Sequence, residues 1–172
     1  MKKIASTVLV LFMSLISFAQ IKEDNSTEAV MRQFVNNKDT MRPLTNKNEQ
    51  EVKNVLKEYN DAIEKLDASG TEKLFTADSK IYESGGNEGN YAHYLKYHLN
   101  PELKEFKSFV FSNYKVEVQL DGKYAFVTEI YNYTIVEAKD NAEVKLKGVT
   151  TSVLKKVKGK WKIMISHNSA RK

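Results

Sequence analysis

Residues 109–120 read Phe-Val-Phe-Ser-Asn-Tyr-Lys-Val-Glu-Val-Gln-Leu, and Asp121-Gly122-Lys123 joins them to Tyr124-Ala-Phe-Val-Thr-Glu-Ile-Tyr-Asn-Tyr-Thr-Ile-Val-Glu137. Apolar side chains recur at every second position, the period of a β-strand, and the Asp-Gly pair supplies a tight turn. The parity slips once. Phe109 and Phe111 are odd, whereas Tyr114, Val116, Val118 and Leu120 are even. One extra residue at Ser112-Asn113, a β-bulge, reconciles the two halves and bends the strand. Long, bent strands of this kind build a curved sheet.

The pattern continues downstream. Lys139 to Glu143 turns the chain into a strand from Val144 to Val157, and Lys158-Gly159-Lys160 leads to a last strand from Trp161 to Ser169. Upstream the period is helical. Val52, Val55, Leu56, Tyr59, Ala62, Ile63 and Leu66 recur at spacings of three and four from about Asn48, with Glu, Lys and Asp between them. That is one long amphipathic helix, halted at Asp67-Ala68-Ser69-Gly70. A very short helix over Thr71 to Phe75, a strand over Lys80 to Ser84 and a helix from Asn90 to Leu99 follow. Asn100-Pro101 is expected to break this last helix, with one more turn from Glu102 to Phe106. Helices first and antiparallel strands after them describe an α+β domain with its helices on one face.

The N-terminus lies apart from this pattern. Met1-Lys2-Lys3 precedes the uncharged, apolar run Ile4 to Phe18, and Ser17-Phe18-Ala19 places small residues at a cleavage site before Gln20. This predicts a signal peptide over 1–19 and a periplasmic or secreted product without a stable membrane anchor. At about 15 residues the run is shorter than the roughly 20 that a membrane span needs. Residues 20–46 form a polar leader and 47–172 the domain. Cutting after Ala19 removes two of the 27 Lys and Arg of the 172-residue chain and none of its 22 Asp and Glu. The remaining basicity is mild. The lysines of the last strands lack interleaved aromatics and suit protected sheet edges rather than nucleic acid. The absence of Cys excludes disulfides, thiolate metal sites and cysteine nucleophiles.

This order resembles the nuclear transport factor 2-like superfamily, in particular its secreted bacterial SnoaL-like members. The resemblance rests on Lys65-Leu66-Asp67-Ala68 with Leu74-Phe75 and Asp78, on Tyr82-Glu83-Ser84-Gly85-Gly86, and on Tyr94 to Leu103. It also rests on Gly159-Lys160-Trp161-Lys162-Ile163 leading to His167-Asn168-Ser169-Ala170-Arg171. It implies a cone-shaped fold, a curved antiparallel sheet wrapped around the long N-terminal helix with a pocket at one end. It also implies a homodimer through the outer sheet face. The scaffold hosts enzymes, ligand binders and association modules alike. Its steroid isomerases and polyketide cyclases use aspartate–histidine patterns that do not map onto a position of this chain.

Site residues follow from the periodicity. His98 shares a helical stripe with Tyr91, Tyr94 and Leu95, so it points inward. His93 lies about 140° away around the helix and reads as a surface residue. On the last strand, alternation puts Trp161, Ile163, Ile165, His167, Ser169 and Arg171 on one side, apolar at the start and polar at the end. His98 and His167 are thereby expected to share one cavity. Glu102, four residues after His98, is placed to orient its ring. Glu129 shares a side with Tyr131, Tyr133 and Ile135; it either faces solvent, the favoured reading, or is buried against a partner such as Arg171 or a histidine. No metal or cofactor is expected, because no ligand spacing joins His98, His167, Glu102 and Glu129. No G-x-S-x-G elbow occurs, and Gly85-Gly86-Asn87-Glu88-Gly89 lacks a phosphate-loop lysine. The resulting expectation is a small organic ligand held by Tyr94, His98, Glu102, Glu129, His167 and Arg171. The alternatives are a lyase or isomerase with His98 or His167 as base, or a dimeric association module.

Overall fold

The computed structural model describes residues 46–172; the expected signal peptide over 1–19 and nearly all of the expected leader over 20–46 lie outside the described residues. The first helix, α1, runs over 46–64. Val52, Leu56 and Ile63 are its buried stripe, and Lys53–Glu49 and Lys57–Asp61 pairs at 2.6 Å lace its outer face. A 3₁₀ turn over Thr71–Leu74 delivers the chain into β1 (Phe75–Glu83), longer than the alternation indicated, which hairpins into the short β2 (Gly86–Gly89). A continuous helical segment follows: α2 (Tyr91–Tyr94), a π-helical turn (Leu95–Leu99) and α3 (Asn100–Leu103). Pro101 therefore does not break this helix. It follows directly on the π turn, and the helical segment runs through it to Leu103.

Four long strands complete the fold: β3 (Phe106–Asp121), β4 (Tyr124–Glu137), β5 (Glu143–Val157) and β6 (Lys160–Arg171). The six strands form one sheet in the order β2-β1-β6-β5-β4-β3. Every neighbouring pair is antiparallel except β1 and β6, which are parallel. The sheet is curved and unclosed, and α1 packs into its concave side.

The bulge read from broken parity is present. Ser112 lies opposite Asn132 and Lys115 opposite Ile130, so β3 carries one residue more than β4, and Asn113 takes a left-handed φ of 53°. A second bulge lies in β6, where Ile163 pairs with Leu154 but Ile165 with Val153. Around it the core is close-packed. The Phe75 and Tyr91 rings stack 3.5 Å apart, with Tyr59 edge-on to both, and Leu154, Trp161 and Ile163 are buried beside them.

Candidate functional site

The concave face encloses a cavity of about 130 Å³. Leu56, Tyr59, Asn60 and Ile63 of α1 form one wall, and Tyr94, Leu99, Glu102 and Leu103 of the second helical segment another. The sheet supplies Phe109, Phe111, Tyr131 and Tyr133 along β3 and β4. Phe109 stacks on Tyr133 at 5.1 Å and Phe111 meets Tyr131 edge-on at 5.0 Å, so the aromatic wall is held by its own contacts.

Across this apolar wall runs one polar row. Glu83 of β1 lies opposite Asn168 of β6, Asn168 opposite Thr150 of β5, and Thr150 opposite Glu129 of β4. All four line the cavity. Three strand spacings set the backbones of the two glutamates roughly 14 Å apart along the sheet. Ser152 and Ser166, bonded to each other at 3.3 Å, form the next inward-facing position on β5 and β6.

Glu129 is 4% exposed, which settles the open choice in favour of burial. Its partners are neither arginine nor histidine. Tyr114 donates its hydroxyl to Oε1 at 2.6 Å and Asn60 its amide to the same oxygen at 3.3 Å. The β3 bulge makes the first bond possible, because the extra residue turns Tyr114 toward the interior that plain alternation denies it. Burial raises the Glu129 pKa above the usual carboxylate value, and the two hydrogen bonds oppose that rise. Burial likewise raises the Tyr114 hydroxyl pKa, with the Glu129 charge adding to it, so Tyr114 acts as a donor. Tyr131 bonds Thr150 at 2.8 Å, and burial pushes its pKa up to about 12.

A second cluster sits at the cavity rim. Tyr94 donates to Glu83 Oε2 at 3.0 Å, and His98 Nε2 lies 3.4 Å from the same oxygen. His98 Nδ1 is 3.3 Å from Glu88 and its Nε2 3.8 Å from Glu102. The His98 ring stacks on Tyr94 at 5.1 Å. The Glu102 pKa is raised, first by burial and then by the neighbouring Glu83 charge, with His98 opposing.

The sequence-named residues divide between these places. Tyr94, Glu102 and Glu129 line the cavity. His98 does not; it is half-buried and reaches the lining through Glu83. The cause is the π turn, whose i→i+5 bonds insert one residue into the helical stripe. Leu99 is buried where an unbroken α-helix would have turned His98 inward. His167 and Arg171 are exposed and outside the cavity. The β6 bulge exchanges the faces of that strand, so Ser166, Asn168 and Ala170 line the cavity and His167 stands perpendicular to the Tyr82 ring at 6.4 Å. The two histidines do not share a cavity. Asn60, Glu83, Tyr114 and Asn168 are the polar groups that sequence reasoning missed. Glu83 carried a signal, being a carboxylate on a strand just ahead of a Gly-Gly turn.

A family model of the SnoaL-like domain matches residues 52–171. Among solved structures, a nuclear transport factor 2-like superfamily protein from Salmonella enterica serovar Typhimurium is similar at TM-score 0.68 and 17% identity, covering 74% of this chain and 94% of its own. A protein assigned as a ketosteroid isomerase from Shewanella frigidimarina is similar at TM-score 0.59 and 24% identity, covering 67% and 92%. A hexachlorocyclohexane dehydrochlorinase from Novosphingobium barchaimii is similar at TM-score 0.62 and 12% identity, covering 73% and 87%. Comparison with curated proteins gives no match. At these identities the likeness is one of fold.

Proposed function

This chain belongs to the SnoaL-like domain family, and from that premise we propose that it binds a small, partly apolar organic molecule in the cavity under α1. The observation that carries the reading is the polar row Glu83-Asn168-Thr150-Glu129, set across the sheet beside the aromatic wall of β3 and β4. Few, placed polar groups in an apolar concavity orient a ligand, while the rings supply contact area. The signal-like N-terminus supports a role outside the cytoplasm. Native mass spectrometry of the purified protein, followed by denaturation, tests binding. A stoichiometric mass released on denaturation is expected. No retained mass, together with no stabilisation by any member of a small-aromatic panel, sinks the reading.

A second reading is a lyase or isomerase, the class to which two of the similar structures are assigned by name. What favours it is Glu129, a buried carboxyl of raised pKa with a tyrosine donor at 2.6 Å. On this reading the proton acceptor is Glu129, since neither His98 nor His167 lines the cavity. The homodimer belongs to the same proposal. Phe126, Ile130 and Val149 are 49%, 41% and 37% exposed on the convex face of β4 and β5, an apolar surface suited to a second copy. Ile130→Lys should convert a dimer to a monomer in sedimentation; an unchanged mass removes this face from consideration.

A further inference from the structure

We propose that the ligand is an organic cation, an amine or quaternary ammonium whose charged head seats against Glu129 and whose apolar body lies on the aromatic wall. The inference rests on the binding reading above and adds the charge of the ligand to it. The chain as a whole carries 27 Lys and Arg against 22 Asp and Glu, yet the cavity lining has three carboxylates, Glu83, Glu102 and Glu129, and no Lys, Arg or His. Glu83 and Glu102 share His98 as a nearby base at 3.4 and 3.8 Å. Glu129 has no cation within ion-pair distance among the described residues.

Glu129 is also incompletely bonded. Both of its hydrogen bonds go to Oε1, and Oε2 is bonded to none of the described residues, although the side chain is almost wholly buried and lines the cavity. A buried carboxylate left without a counter-charge is costly, and a cation entering the cavity supplies that charge. The surroundings suit such a head group. Tyr131 lies one inward-facing position along β4, flanked by Phe111 and Tyr133 with ring centroids at 5.0 and 6.0 Å. Ring faces of this kind attract desolvated cations, quaternary ammonium above all. An anionic ligand would meet three carboxylates and no donor of positive charge. A cavity of about 130 Å³ has room for roughly four waters at liquid density, near the size that accommodates benzene, and so for a molecule of about six or seven heavy atoms.

The test compares choline with its uncharged isostere 3,3-dimethylbutan-1-ol, and with phenol, by isothermal titration calorimetry on the full chain. Choline should bind at least about tenfold more tightly than the alcohol. Glu129→Gln, which keeps the shape and removes the charge, should erase that difference, with retention of the wild-type far-ultraviolet circular dichroism spectrum serving as the check on folding. Equal or tighter binding of the neutral alcohol overturns the charge assignment and leaves the binding reading standing, as does binding of phenol alone. A wild-type preference for choline that survives Glu129→Gln overturns Glu129 as the seat of the charge. Failure of all three probes to bind overturns the cation proposal and counts against the cavity as a ligand site.

Discussion

Gly148→Ala tests the wall of the cavity where it is tightest. Gly148 is buried on β5 directly opposite Tyr131, and a Cβ built there would stand 2.3 Å from Tyr131 Cε2 and 2.8 Å from its Cζ. The ring has little freedom to yield. Its hydroxyl bonds Thr150 at 2.8 Å, and Phe111, Tyr114 and Tyr133 pack around it. Forcing it aside costs about 1–3 kcal/mol of overpacking, and losing the Thr150 bond about 1 kcal/mol more. Removing a strand glycine returns about 0.5–1 kcal/mol. The net is a loss of about 2 kcal/mol, which for a domain of this size lowers Tm by roughly 5–8 °C. Denaturant unfolding followed through the fluorescence of Trp161, the single tryptophan, measures it. The same glycine change in a Tyr131→Ala background should stabilise by about 0.5–1 kcal/mol, giving a coupling of about 3 kcal/mol between the two sites. A Gly148→Ala protein as stable as wild type, or an equal loss in both backgrounds, would show that the ring contact is not what requires glycine.

Three further outcomes follow from the site. Burial raises the Glu129 pKa in the folded state, so folding loses stability as pH rises through the ordinary carboxylate value toward the raised one, and neither state differs below it. Glu129→Gln should therefore be stabilising at neutral pH and lose that advantage toward pH 4; parallel melting-versus-pH curves refute the raised pKa. Tyr114→Phe removes the 2.6 Å bond to Glu129 and should cost about 1.5–3 kcal/mol at neutral pH, where Glu129 is most charged, and less in acid; a pH-independent loss argues against a charge-assisted bond. His167→Ala should change stability by less than about 0.5 kcal/mol. A denaturant midpoint displaced by several times that amount would place the ring inside after all.

The helix-to-strand order and the β3 bulge were legible because they break or keep a period in strongly apolar residues. Phe109, Phe111, Val116 and Val118 cannot all face the core unless one residue is skipped, and the structure skips it at Asn113. The β6 bulge was hidden for the opposite reason. Ile163, Met164 and Ile165 are all apolar, so alternation looks unbroken and the face exchange leaves no trace. The π turn is equally silent, since Leu95 and Leu99 suit either helical period. These two local irregularities account for the misplaced histidines and Arg171. Glu129 was recognised as an anomaly, but its partners come from α1 and from the bulge, contacts of long sequence separation that no local pattern contains.

The parallel pairing of β1 with β6 also governs when the cavity can exist. Ile81 and Tyr82 lie beside Ser166 and His167, residues about 85 positions later. Closing so long a loop must precede any gain from the pairing, which makes this seam a slow step of folding. Asn168 is made after the other three residues of the polar row, and it is the link between Glu83 and the remainder of that row. A nascent chain stopped before Lys160 has α1 and the aromatic strands but neither β6 nor the seam. Its apolar wall is then open to solvent and to other chains. Addition of β6 thus converts an adhesive surface into a walled chamber.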